Sequence, residues 1–245
     1  MFKLLSILTR NFFFHQIGLL YICFPTSKHL LFVYSSTALR APNLYGLGSI
    51  LSKVVVVAGV PGTGKSTLSR WLARRLNGVH LNLTRFVLEK GIWINYDKTR
   101  RSFVIDYEKL LKILRRLFAY KRFIVFDTHW VEVVKDANIT PERIIVLRTN
   151  PLVLAERLSV RGWPQRKVAE NVEAELLGVV SREAIECFGK NLVYEIDTSK
   201  VSVQEAVELA YKAVEKRLSS CCIDWLVELS EKELVRVFKL VEAVR

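Results

Sequence analysis

Gly59-Val60-Pro61-Gly62-Thr63-Gly64-Lys65-Ser66-Thr67 carries the spacing G-x-x-x-x-G-K-[ST]. Glycines allow consecutive backbone N–H groups to turn inward around phosphate oxygens. A helix starting at the lysine would add its partial positive N-terminal charge. In that geometry Lys65 reaches β/γ-phosphates and the Ser66 hydroxyl ligates Mg²⁺. A second candidate group is Asp127-Thr128-His129, behind the apolar run Phe123-Ile124-Val125-Phe126. An acid at the end of a buried strand beside a phosphate loop suits a Mg²⁺ site, so Asp127 joins Ser66 as a metal candidate. His129 falls two residues later, on the same side as Asp127 if the strand continues. That would put an imidazole near the γ-phosphate; a hydrogen-bonded loop histidine is the other reading. A third pair, Arg157 and Arg161, lies four apart on one helical face and ends at Gly162. Two arginines at a glycine hinge suit clamping of phosphates by a small lid, against the alternative of a solvated basic face.

These side chains need elements to position them. Lys53-Val54-Val55-Val56-Val57-Ala58 reads as a buried parallel strand leading into the glycine loop. Leu68, Trp71, Leu72 and Leu76 give the following helix an apolar face. Further strands are expected at 79–83, 122–127, 143–148 and 192–196. Helices are expected at Thr84–Lys90, Tyr107–Tyr120, Gln165–Cys187 and 203–218, with two short ones around 221–229 and 231–244. Residues 91–105 read as irregular. Such β-α alternation predicts an α/β fold with a parallel sheet covered by helices on both faces.

Composition agrees with that class. Half of the 245 residues are hydrophobic and a quarter charged, which excludes global disorder. Four cysteines without framework spacing exclude a disulfide scaffold and fit a reducing compartment. The net charge of +13 favours polyanionic partners such as nucleotides or RNA, although charge alone names no partner. Residues 1–49 differ from the rest: they hold no acid, are rich in Phe, Leu and Ile, and lack an uninterrupted spanning stretch. They read as a targeting segment, a weak membrane anchor, or upstream sequence ahead of a true start near Leu51 or Val54. The expected division is an extension at 1–49, a kinase-like domain at 50–220 and a helical extension at 221–245.

The residues from about Ser52 to Leu218 resemble the adenylate kinase-like proteins of archaea and the eukaryotic nucleus, the CINAP type. The resemblance rests on the glycine loop, Asp127-Thr128-His129, Leu147-Arg148-Thr149-Asn150 and Glu156-Arg157-Leu158…Arg161-Gly162-Trp163. It extends to Lys167…Glu170-Asn171-Val172-Glu173-Ala174-Glu175. It implies a P-loop nucleoside monophosphate (NMP) kinase fold with a five-stranded parallel sheet and a short lid at 160–170. It implies broad NMP kinase activity (ATP plus AMP giving two ADP) together with ATP hydrolysis. ATP would be held by Gly62, Gly64, Lys65, Ser66, Thr67 and Arg161, with Lys65, Asp127, His129 and Arg161 catalytic. Residues 82–105 would form the NMP-binding interval, with Asn82, Arg85, Asp106 and Arg157 as substrate contacts. The family also acts in late small-subunit ribosome and rRNA maturation, engaging small-subunit ribosomal protein eleven. A cytoplasmic protein without stable membrane association is therefore expected, with rRNA contact open. The interval is more basic here (Lys98, Arg100, Arg101) than in family members with an acidic one. A small-metabolite kinase on the same scaffold is the competing enzyme class.

Overall fold

The computed structural model describes residues 21–23, 53–98, 102–119, 123–221 and 223–244. Most of the 1–49 extension, Leu51 of the two expected starts, Ser52 and the basic pair Arg100 and Arg101 lie outside the described residues. In chain order the elements are β1 (Tyr21–Cys23), β2 (Lys53–Ala58), α1 (Lys65–Arg75), β3 (Val79–Asn82), α2 (Leu83–Glu89), β4 (Trp93–Asp97) and β5 (Ser102–Ile105). Then come α3 (Tyr107–Phe118), β6 (Phe123–Asp127), α4 (Glu132–Asp136), β7 (Arg143–Arg148), α5 (Pro151–Val160), α6 (Gln165–Leu176) and α7 (Val179–Phe188). The chain closes with β8 (Val193–Asp197), α8 (Val203–Glu215), α9 (Trp225–Glu228) and α10 (Glu231–Glu242).

Five strands form the expected parallel sheet, in the order β3-β6-β2-β7-β8. The β-branched run of β2 explains its central place: Val54 to Ala58 are all buried, as a strand covered on both faces requires. Alternation then divides its side chains. Val54 and Val56 enter the larger core with Leu110, Leu114, Phe126, Leu154 and Val172. Val55 and Val57 enter the opposite core with Leu68 and Leu72 of α1 and Ala206 and Ala210 of α8. Strand β2 lies between β6 and β7: the chain leaves it for β3 on one side, and later crosses from β6 to β7 on the other, which makes this the point where the winding reverses. The crevice at the carboxyl ends of these strands is where α/β sheets take ligands.

Two local expectations are corrected. Residues 91–105 are not irregular: β4 and β5 pair as an antiparallel hairpin with a register shift between Trp93 and Asn95, and β1 pairs with β5. Trp93 and Tyr96 both pack on Phe103 across the hairpin, with ring centroids 5.1 and 5.0 Å apart. The single helix expected over Gln165–Cys187 is two. Gly178 sits at φ 62°, a left-handed turn that ends α6 and starts α7, with its missing side chain facing the Arg148 guanidinium. Among the described residues no helix is long and apolar enough to cross a membrane.

Candidate active site

A cleft of about 490 Å³ opens at the carboxyl ends of β2, β3 and β6. Its walls include Gly62, Gly64, Lys65, Ser66 and Thr67 of the loop and first turn of α1, Asn82, Asp127, His129 and Arg161. The loop geometry follows from its glycines. Gly59, Gly62 and Gly64 have φ of 139°, 97° and 97°, a region closed to most side chains. A Cβ on Gly62 would also lie 2.7 Å from Leu154 Cδ1 of α5. Gly64 caps α1 without a side-chain bond, leaving the first N–H groups of the helix open to an anion.

Lys65 Nζ donates to the Val60 carbonyl at 3.0 Å, so the ammonium is folded back onto its own loop. Burial, helped by repulsion from Arg161, pushes its pKa down to about 8 against the pull of Asp127 and Glu175. The lysine remains a cation at neutral pH.

Asp127 ends β6 with 2% of its surface exposed. Asn82 Nδ2 donates to its Oδ2 at 2.6 Å and His80 Nε2 lies 3.3 Å from the same oxygen. Burial works against the charge, but His80, Lys65, Ser66 and Asn82 overcome it and hold the carboxyl below its ordinary pKa. Asn82 Nδ2 also donates to Ser66 Oγ at 3.2 Å, so a single amide joins the hydroxyl to the carboxylate. An ionised carboxylate and a hydroxyl side by side are hard oxygen donors of the kind Mg²⁺ takes along with phosphates and water. The residues therefore fit that ion. Among the described residues no group of three or more His, Cys, Asp or Glu offers an all-protein metal cage.

His129 also lines the cleft. Burial, then the charge of Lys65, pushes its pKa down to about 4 despite Asp127, so the ring is neutral at neutral pH. The far wall comes from α5, α6 and the turn between them. Asn150 caps α5 by accepting from Leu152 N–H, and Pro151 occupies the first turn. Arg161 caps the other end of α5, and Gly162 at φ 72° turns the chain into α6. Trp163, Lys167, Glu170 and Asn171 complete that wall. An adjoining pocket of about 230 Å³ is shared by Arg157, Arg161, Gly64, Thr198 and Val201.

Three of the expected substrate contacts stand elsewhere. Asp106 caps α3 by accepting from Lys109 N–H and does not line the cleft. Arg85 pairs with Glu89 one turn along α2, at 2.5 Å on an exposed face. Arg157 is not beside Asp127: its guanidinium donates to Thr198 Oγ1 and to the Thr198 carbonyl, forming the wall of the second pocket. Thr84, in the first turn of α2, and Thr198, just after β8, reach the two pockets without a sequence signal. His80 had one hint, the alternation of β3 that puts it on one face with Asn82.

Residues 55–178 match the family described as AAA domain. A Saccharolobus islandicus protein named "Putative adenylate kinase" is 37% identical over 178 residues, covering 71% of this chain and 88% of that protein. Proteins of the same name from Sulfurisphaera tokodaii and Methanocaldococcus jannaschii are each 34% identical. They cover 78% and 70% of this chain, and 95% and 92% of their own lengths. With the glycine loop, the acid that ends β6 and Arg161 lining one cleft at the edge of a parallel sheet, the chain belongs to the P-loop AAA-domain family and, within it, to the adenylate kinase-like kinases these archaeal proteins represent.

Proposed function

We propose that the protein transfers the γ-phosphoryl group of ATP to a nucleoside monophosphate, with AMP as the first acceptor and other NMPs accepted. The observation that supports this is the single cleft in which Lys65, Ser66, Asp127 and Arg161 face one another, open to Asn82 and Thr84 on the acceptor side. The names of the archaeal relatives point to the same acceptor.

Loop N–H groups and the α1 terminus would hold the β-phosphate while Lys65 and Arg161 carry charge developing on the transferred group. Ser66 and Asp127 would hold Mg²⁺, and the ion would supply neutralisation of phosphate charge. Asn82 donates to both side chains and keeps them side by side. The neutral ring of His129 can accept a proton from a hydroxyl or water at the γ-phosphate. Closure of the lid over the glycine hinge at 162 would exclude water and favour transfer over hydrolysis.

A second reading rests on His129. A neutral imidazole in the cleft suits activation of water, and with it an ATPase cycle. The CINAP resemblance and the net charge of +13 extend that reading to late small-subunit ribosome maturation, through small-subunit ribosomal protein eleven and neighbouring rRNA.

The test is quantification of nucleotides from the full chain with Mg²⁺-ATP, first without acceptor and then with AMP, CMP, GMP and UMP. Conversion of ATP and AMP to ADP at rates well above acceptor-free hydrolysis is expected. Slow hydrolysis unchanged by any NMP would overturn the kinase reading and leave the ATPase.

A further inference from the structure

Behind the cleft lies a buried charged network that the phosphoryl-transfer chemistry does not use. Arg148, at the end of β7, is 2% exposed. It donates from Nε to Glu175 Oε1 at 2.8 Å, and from Nη1 to Glu195 Oε1 at 2.9 Å and the Ile223 carbonyl at 2.8 Å. Its Nη2 donates to the Glu175 carbonyl at 3.0 Å. Glu175 belongs to the last turn of α6, the lid arm whose earlier residues Lys167, Glu170 and Asn171 wall the cleft. Its Oε1 also accepts from Thr149 N–H at 3.0 Å and from Trp225 Nε1 at 2.8 Å.

Thr149 continues the chain of contacts toward the nucleotide. Its hydroxyl meets Thr198 Oγ1 at 2.7 Å, and Thr198 Oγ1 lies 3.1 Å from the Thr63 carbonyl of the phosphate loop. The Glu175 carboxylate also acts electrostatically on Lys65. The same carboxylate therefore ties a lid arm to the phosphate loop on one side and to the C-terminal segment on the other.

That segment holds both arms of the lid. Helix α10 packs against α5 and α6, burying Val237 and Val241. The Trp225 indole is 2% exposed, and Lys200, which pairs with Asp197 and Glu228, lies 6.0 Å from its ring.

We propose that Trp225 is a positioning residue for the nucleotide cleft: by donating to Glu175 it makes the C-terminal segment the outer clamp that fixes lid arm α6 against the phosphate loop. The inference builds on the reading of the cleft as a nucleotide site.

The experiment uses the full chain with Trp225→Phe, which keeps an aromatic ring and removes the donor. The comparison variant is Leu229→Ala, which opens a cavity in the same buried segment without touching the Glu175 carboxylate. The readouts are melting temperature, the dissociation constant of a fluorescent N-methylanthraniloyl ATP, and KM and kcat with ATP varied. Trp225→Phe is expected to weaken ATP binding about 5-fold or more. KM for ATP should rise with it and kcat change less. Leu229→Ala should lower the melting temperature while keeping wild-type ATP affinity. A merely structural tryptophan would lower the melting temperature and leave ATP affinity unchanged, which overturns the proposal. So would equal loss of affinity in both variants. Wild-type ATP binding without transfer to any NMP would sink the acceptor reading alone; absence of ATP binding would sink both.

Discussion

Lys65 is held in an electrostatic compromise: burial lowers its pKa to about 8 against the pull of Asp127 and Glu175. The proton must be on the lysine for it to attract an anion. With ATP varied, kcat/KM is therefore expected to be flat through neutral pH and to fall as pH rises through about 8. A profile unbroken up to pH 10 would show that another cation holds the phosphates. Lys65→Met should cost about 10²–10³-fold in kcat/KM, the usual cost of one aimed charge or donor at a transition state. His129 makes a separate prediction. Its pKa near 4 keeps it a neutral acceptor, so ATP hydrolysis should show no acid-side break until pH approaches that value. His129→Ala should suppress hydrolysis and spare transfer to AMP; equal loss of both would make the ring a shared structural contact. Lys65, Ser66, Asp127 and Arg161, singled out in the sequence, line one cleft; Lys65 and Ser66 came from the spacing of the glycine motif, Asp127 from the end of an apolar run and Arg161 from its place before a glycine. Asp106, also singled out, does not line it: an acid before a helix serves as readily as a cap as it does a substrate contact.

At the scale of elements, the turn that joins β2 to α1 depends on glycines at φ values of 97° and 139°, which L side chains rarely adopt. Gly62→Ala tests this. The position has φ 97° and a Cβ would meet Leu154 Cδ1 at 2.7 Å. The variant is expected to lose about 1–3 kcal/mol of stability in urea unfolding and to bind ATP weakly even where folded. Wild-type affinity would mean the loop re-forms by shifting α5. The long regular elements could be read from periodicity, as β2 and α3 show. The hairpin β4–β5 could not. Trp93-Ile94-Asn95-Tyr96-Asp97 does not alternate cleanly, and four of the five are exposed, so pairing with β5 rather than a buried face defines the strand. The break at Gly178 was also hidden. An amphipathic pattern continues through it, and the left-handed φ of 62° at the turn between α6 and α7 is why glycine stands there.

Across the whole molecule, the Arg148 network joins elements that are distant in sequence: β7, α6, β8 and the segment around Ile223 and Trp225. Burial by itself would lower the Arg148 pKa, but Glu175 and Glu195 more than reverse it and raise it. Arg148→Met would leave both carboxylates buried without their cation. A loss of about 3–5 kcal/mol is expected in denaturant unfolding, larger at neutral than at acid pH because protonation removes the buried charge. A loss below about 1 kcal/mol, independent of pH, would show the network to be dispensable.

By itself the sequence determined the glycine loop, the acid at the end of a buried strand, the arginine before a glycine turn and the α/β class. Each depends on residues close together in the chain, where backbone sterics and side-chain periodicity act directly. The tertiary structure alone decided that His80 and Asn82 brace Asp127, that Arg157 faces Thr198, and that Glu175 binds the lid to the C-terminal segment. Those contacts span from 27 to 50 residues of chain. They exist only because parallel pairing stacks the ends of β3, β6, β7 and β8 on one edge of the sheet, where burial makes partners for these side chains favourable.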